Sequence, residues 1–344
     1  MRKIWFLLGG FVVLSAFPSL VYAVSISQAS FDLALPAGTS ETGTFVVVND
    51  ETEATTVDIS LSDWDRRSDG ENRFLDVGSV ERSAAGWITF APAQFRLDPD
   101  EAVEVRFTMA VPAGVTGSYW AALIVQGTPR KVQVQSGTTI LVRKRFAVKI
   151  LETPPGTGNL SGRIADVRVG GSNPLQTVIL FENNGLVNMN AVKGRVEIRD
   201  AAGQTVESIP IEAFPILPGA TRQLVVSSAR PKGDVLPPGR YLILAIIDFG
   251  GDSLLGGQLV LELKPLKLVP LGDSNAPPQD LDNDGTFEDV NGDGVFDGDD
   301  PVLLGFQLND PAVQDNARAF DFNNDGVVDF DDTLTLQSLL DKQT

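Results

Sequence analysis

Val103-Glu104-Val105-Arg106-Phe107-Thr108-Met109 alternates apolar and hydrophilic side chains without a break. Successive side chains of an extended chain point to opposite faces, so the apolar groups all fall on one side. The pattern predicts a strand with one buried and one wet face. Val57, Ile59 and Leu61, alternating with Asp58, Ser60 and Ser62, repeat it upstream. Further strands are expected over 25–33, 44–49, 87–90, 118–125 and 138–150. Turn formers separate them, among them Pro36-Ala37-Gly38, Ser68-Asp69-Gly70, Asp98-Pro99-Asp100 and Pro112-Ala113-Gly114. About seven short strands over 24–153, with no helical periodicity, read as an immunoglobulin-like β-sandwich.

A second all-β block follows over 160–264, after a Pro- and Gly-containing linker at 154–159. Its clearest hairpin runs from Val192 to Arg199, turns at Asp200-Ala201-Ala202-Gly203 and returns from Gln204 to Ile209. Tyr241-Leu242-Ile243-Leu244-Ala245-Ile246-Ile247 is nearly continuous in apolar residues and predicts a central strand buried on both faces. The fold class expected is mainly β: two immunoglobulin-like sandwiches, then a Pro-rich linker at 265–277 and a small helical module at 278–344.

The chain has 344 residues and opens on a secretory signature. Arg2 and Lys3 precede an apolar run from Ile4 to Ala16, and Val21-Tyr22-Ala23 supplies small residues for cleavage, so 1–23 reads as a signal peptide. The apolar run is shorter than the roughly 20 residues that a spanning helix needs. The expected location is outside the cytoplasm: extracellular, at the cell surface or periplasmic, with no transmembrane anchor after cleavage. Cys and His are both absent. That excludes Ser-His-Asp and Cys-His catalysis and makes an ordinary zinc site untenable. No enzyme activity is expected.

The net charge of −18 is concentrated at one end. Residues 273–344 hold eighteen acidic and two basic residues, net −16, which leaves −2 for everything before them. No basic face is evident for nucleic acid. The acidic residues are spaced, not clumped. Asp289, Asn291, Asp293, Asp297 and Asp300 occupy positions 1, 3, 5, 9 and 12 of one loop, and Asp321, Asn323, Asp325, Asp329 and Asp332 do so in a second. Gly294 and Gly326 stand at position 6. Oxygen donors at these intervals around a glycine turn suit a hard cation, Ca²⁺ above all. Asp280, Asp282 and Asp284, before Gly285, begin a third such run; a third ion there would borrow later ligands from Glu288 or Asp289. Each complete loop leads into a short helical pattern, where Val302, Leu303 and Phe306 on the first helix and Leu336, Leu339 and Leu340 on the second are expected to pack together.

Two loops starting thirty-two residues apart, each followed but not preceded by a helix, resemble a type I dockerin, a paired F-hand calcium module. The resemblance implies two Ca²⁺ ions, with the carbonyls of Val295 and Val327 completing the ligand sets above. It implies a short β-bridge between Phe296 and Val328 at position 8, and a cohesin-like or other cell-surface scaffold protein as partner. Loop positions 10 and 11 are Gly298-Asp299 and Phe330-Asp331, not the Ser/Thr pair usual in cellulosomal members.

The first block resembles pilus-chaperone-like immunoglobulin domains in the order Phe31, Pro36-Ala37-Gly38, Val46-Val47-Val48-Asn49, Trp87, Phe95-Arg96-Leu97-Asp98-Pro99, Val105-Arg106, Val111-Pro112 and Gly117-Ser118-Tyr119-Trp120. The two-block layout is also similar to the extracellular part of WxL-interacting proteins. Pilus chaperones capture a subunit's terminal carboxylate with an Arg and a Lys. Lys149 or the Arg143-Lys144-Arg145 cluster matches the Lys, but 25–35 contains no Arg, so half of that site is expected to be missing. Trp64, Trp87 and Trp120 offer a glycan-stacking reading beside the plainer one of core residues. The leading functional expectation is a non-catalytic exported protein docked through its Ca²⁺-loaded tail. The alternative is an assembly chaperone acting by β-strand addition, and behind it stands a dockerin-borne polysaccharide-degrading component.

Overall fold

The computed structural model describes residues 24–133 and 139–342. The expected signal peptide lies outside the described residues. The first block contains β1 (Ser25–Ile26), β2 (Ser30–Leu33), β3 (Ser40–Val48), β4 (Thr55–Arg66), β5 (Asn72–Leu75), β6 (Ile88–Ala91), β7 (Gln94–Leu97), β8 (Ala102–Ala110) and β9 (Tyr119–Gly127). A hairpin of β10 (Arg130–Gln133) and β11 (Thr139–Val142) precedes β12 (Arg145–Glu152). One sheet has the order β1-β3-β8-β6; the other is β2-β12-β9-β4-β5, with β7 also pairing β4. The alternation in β8 works as expected: Val105, Phe107 and Met109 are buried against Phe45, Val47, Ile59, Leu123 and Ile150. Each such side chain contributes roughly 1.5–3 kcal/mol by leaving water.

Gly43 pairs with Phe107 across β3 and β8. A Cβ there would lie 2.4 Å from the Phe107 ring, which is itself packed edge-on against Phe31. Gly43→Ala is therefore expected to cost about 1–3 kcal/mol through overpacking, read as a lower denaturant midpoint at unchanged slope.

The second block is a sandwich of β13 (Gly162–Ser172), β14 (Leu175–Asn183), β15 (Met189–Arg199), β16 (Thr205–Ile216), β17 (Thr221–Ser227), β18 (Gly239–Asp248) and β19 (Leu255–Leu263). Its sheets run β13-β14-β17 and β16-β15-β18-β19. The expected hairpin is β15–β16, closed where Arg199 pairs with Thr205. The apolar run of β18 is interior to its sheet, but only one face is buried: Tyr241, Ile243, Ala245 and Ile247 enter the core while Leu242, Leu244 and Ile246 are half-buried. The other layer of the sandwich covers just one side of this sheet.

The sandwiches pack against each other. Trp64, Trp120, Ala122, Ile124 and Leu151, on the outer face of the β12-β9-β4 sheet, form an apolar cluster with Leu217 and Ala220 of the second sandwich. Trp120 Nε1 donates to the Trp64 carbonyl at 2.7 Å, and Ser118 N donates to the Leu186 carbonyl at 2.8 Å. Trp64 and Trp120 are thus interface core, and Trp87 packs on the first sandwich's core. Burial removes Trp64 and Trp120 from the glycan-stacking reading, and Trp87 is half-buried with its ring against Tyr119.

The tail contains α1 (Asp299–Gln307), α2 (Pro311–Gln314) and α3 (Phe330–Asp341). Its core is Leu271, Val290, Leu304, Val313, Phe320 and Leu336 with their neighbours. Two expectations change here. Leu266, Leu268 and Leu271, in the stretch expected to be a linker, belong to this core. Val302 and Phe306 face away from it, Phe306 being 82% exposed, while Leu304 is buried; on α3, Leu336 and Leu339 pack inward as expected. Among the described residues no helix is long and apolar enough to cross a membrane.

Candidate functional sites: paired acidic loops and a cleft between the sandwiches

The two complete acidic loops are wired alike. At position 1, Asp289 and Asp321 accept from the position-5 amide through one oxygen (3.1 and 3.0 Å) and from the position-6 glycine amide through the other (2.8 and 3.0 Å). At position 5, Asp293 and Asp325 accept from the amides of Val295 and Val327, both at 2.9 Å. The position-12 carboxylates of Asp300 and Asp332 accept from the amides at positions 3 and 9, closing each loop. Glycine suits position 6 because φ there is +88° and +90°. Each loop thus ties its carboxylates to its own backbone amides, and its donor set is of the hard-oxygen kind that suits a cation with many oxygen ligands.

The carboxylates at positions 1 and 12 are buried, Asp289, Asp300, Asp321 and Asp332 each at most 4% exposed, and among the described residues none of them forms a salt bridge. Burial, reinforced by the charges of Asp332 and Asp325, raises Asp321 to about 6. Burial also raises Asp300 and Asp332 above the usual carboxylate range. A carboxyl raised in the folded state binds its proton more tightly there than in the unfolded chain. Its contribution is fully present below the ordinary carboxylate pKa and is lost as pH rises through about 6. The metal-free tail is therefore expected to show more helical circular dichroism near pH 4.5 than near pH 7; an unchanged or weaker helical signal at pH 4.5 would contradict this.

Two details depart from expectation. Among the described residues no β-bridge joins Phe296 to Val328; both pack into the tail's core, and the bridge in this region is Gln279–Asp289. In the leading run Asp280, Asp282 and Asp284 repeat the wiring of positions 1, 3 and 5, but Asp284 lies outside the close group of carboxylate oxygens. Its side chain accepts from Thr286 and pairs with Lys232 of the second sandwich. Glu288 joins that group instead.

The second candidate lies in the cleft beside the inter-sandwich cluster. Lys149 Nζ lies 5.3 Å from the Trp64 ring centre, and Arg66 Cζ lies 5.6 Å from the same ring. Arg66 also donates to Pro215 O of the second sandwich at 3.0 Å. Arg145 lies over Phe74 on the same sheet face. Burial, then the charge of Arg66, lowers Lys149 from the ordinary lysine value, with Asp32 opposing; burial, then the charge of Arg222, lowers Arg66. Among the described residues neither Arg66 nor Lys149 forms a carboxylate salt bridge. Such a pair favours an incoming anion.

Among the described residues the strand that carries Lys149 is unpaired along part of one edge. Lys149–Glu152 pair with β2, whereas Arg145–Val148 pair with β9 alone. The adjoining β11 exposes Ile140, Leu141 and Val142. As expected, 25–35 contains no arginine; Arg66, at the end of β4, lies over the same Trp64 ring as Lys149. It has the same strand parity as Trp64, which is the signal the sequence offered.

No protein-family model matches the sequence, and no curated protein matches it. Solved structures that it resembles include fimbrial chaperones and a PapD-like domain of human CEP192. A class 5 fimbrial chaperone, CfaA, is 14% identical with a TM-score of 0.37, covering 71% of this chain and 100% of its own. The Escherichia coli chaperone DraB is 18% identical with a TM-score of 0.33, covering 71% and 98%. A chain from a chaperone–tip adhesin complex of CFA/I fimbriae is 14% identical with a TM-score of 0.38, covering 70% and 98%. The sandwich assignment rests on the sheets themselves, and the account of the cleft on its own residues.

Proposed function

We propose that this chain is an exported, non-catalytic binding protein whose two sandwiches hold an extended, carboxylate-ended segment of a protein partner. The observation that carries this reading is the Arg66–Lys149 pair on Trp64, without carboxylate partners, at the end of a strand edge partly unpaired among the described residues. A partner strand added along Arg145–Val148 gains backbone hydrogen bonds, and its terminal carboxylate reaches the two cations. The exposed apolar residues of β11 give that strand side chains to pack on. This is the assembly-chaperone alternative, and the geometry favours it over docking as the work of the sandwiches. Binding of a peptide acid and its amide tests it, as set out in the Discussion.

The tail supports a second, compatible reading. Two Ca²⁺ ions would be held by Asp289, Asn291, Asp293, Asp297, Asp300 and the Val295 carbonyl, and by Asp321, Asn323, Asp325, Asp329, Asp332 and the Val327 carbonyl. The observation favouring this is the duplicated wiring of both loops, carboxylates at positions 1 and 12 held by the same backbone amides in each. Val302 and Phe306 of α1 and Phe330 and Leu334 of α3 form an exposed apolar groove. That groove suits docking to a cohesin-like or other surface protein, since apolar patches of this kind mark interaction sites.

A further inference from the structure

The leading acidic run meets the second sandwich at a point where the structure gathers charge. Asp280, Asp282 and Glu288 each place a carboxylate oxygen within 4.8 Å of the others. Asp280 spends both oxygens on the amides of Asp284 and Gly285, as position 1 does in the complete loops. Glu288 does what the position-12 aspartates do: its Oε1 accepts from the amide at position 3, Asp282, at 3.2 Å, and also from Leu281 at 2.9 Å. The longer side chain lets a residue at position 9 close a loop that has no position 12 of its own. Glu288 is 8% exposed, and its other oxygen, Oε2, is buried with no hydrogen-bond partner. A buried carboxylate oxygen left without a donor is costly unless something cationic meets it.

The same run grips the second sandwich. Lys232 pairs with Asp284, Asn173 Nδ2 donates to the Asp284 carbonyl at 2.8 Å, and Asn173 Oδ1 accepts from Gly233 N at 3.1 Å. Asn173 N donates to Asn324 of the second complete loop at 2.9 Å, and Asn324 Nδ2 donates to the Pro174 carbonyl at 3.0 Å. The β13–β14 turn therefore sits between two acidic loops of the tail.

We infer that Asp280, Asp282 and Glu288 form a third divalent-cation site, of calcium type, which fixes the tail against the β13–β14 turn of the second sandwich. The ligands are hard oxygens on a short backbone loop, and neither Cys nor His is available to draw a softer metal. This rests on the two-loop calcium reading only in expecting the same ion, and the test separates the two.

The probe is Ca²⁺ alone, titrated calorimetrically into the full chain without its signal peptide. Three ions are expected to bind the wild type, and two the Glu288→Gln variant. A double variant, Asp293→Asn with Asp325→Asn, is expected to keep the third ion while weakening the other two at least tenfold. Asp282→Asn, at an exposed position, serves as a second variant should Glu288→Gln fold poorly. Loss of the third ion is also expected to raise proton exchange of the Asn173 and Asn324 amides. Two ions in wild type, unchanged by either Glu288→Gln or Asp282→Asn, would overturn the third site while leaving the paired loops standing. One ion in wild type, lost in Glu288→Gln and kept in the double variant, would support the third site and overturn the paired loops. No binding at millimolar Ca²⁺ would overturn both.

Discussion

Chelating calcium is expected to unfold the tail while both sandwiches stay folded. The tail's core has nine buried apolar residues, against eighteen or more in each sandwich cluster. Into that small core it also folds Asp289, Asp300, Asp321 and Asp332, none of them in a salt bridge among the described residues. Backbone amides offset only part of the cost of burying these carboxylates without a counter-ion, whereas a divalent ion turns the same oxygens into favourable ligands. Circular dichroism should therefore lose helical signal in chelator and regain it with Ca²⁺. Hydrogen exchange should show α1 and α3 exposed while β8, β9 and β18 remain protected. Asp289→Ala or Asp321→Ala, at position 1, should weaken Ca²⁺ binding in its own loop by at least about tenfold, because ligand charge count sets affinity in such loops. A helical signal indifferent to chelator would count against the calcium reading of the tail.

Neutralising the cleft cations should have the next largest effect, on partner binding more than on folding. A hydrogen bond from a charged group contributes about 1.5–3 kcal/mol when the alternative is an unpaired anion. Replacing both Arg66 and Lys149 with Gln should then weaken capture of a carboxylate-ended segment on the order of a hundredfold or more, since each 1.4 kcal/mol is tenfold. Stability should change by only about 1–3 kcal/mol, from the Arg66 hydrogen bonds to Pro215 O and Asn72, because neither side chain is held by a carboxylate. A Gln at either site keeps part of the stem that lies along Trp64. Retained affinity in the double variant would place the partner elsewhere, the tail's apolar groove being the next surface to test.

Much of this fold is legible in the sequence because side-chain period reports strand faces directly. The alternation at 103–109 named Val105, Phe107 and Met109 of β8, and that at 57–61 named Val57 and Ile59 of β4, whereas Ser62, expected on the wet face, is buried with its hydroxyl donating to the Asp63 and Leu75 carbonyls. Helix orientation was harder. Val302, Leu303 and Phe306 share a face by spacing, but spacing alone does not say which face turns inward. The loops decide that. Asp300 and Asp332 are anchored to the amides of positions 3 and 9, so Leu304 and Leu336, four residues further on, are carried into the core and Phe306 is left outside. The stretch 265–277 reads as a linker because of its prolines, which conceal the leucines that close the tail's core. Asp284 and Glu288 could not be told apart as candidate ligands, because the deciding neighbour, Lys232, comes from another domain. Arg66 escaped for a related reason: the strand that brings it beside Lys149 lies more than eighty residues away along the chain.

The account's central claim is that the cleft takes an extended segment by its terminal carboxylate. The most direct measurement compares one β-prone peptide of alternating apolar residues, prepared as the free acid and as the C-terminal amide, titrated into the chain by calorimetry. The account predicts that the acid binds at least about tenfold more tightly than the amide, and that the difference disappears in Arg66→Gln/Lys149→Gln, as one charge-assisted contact requires. Equal binding of acid and amide to the wild-type chain, or a preference that survives loss of both cations, would contradict it.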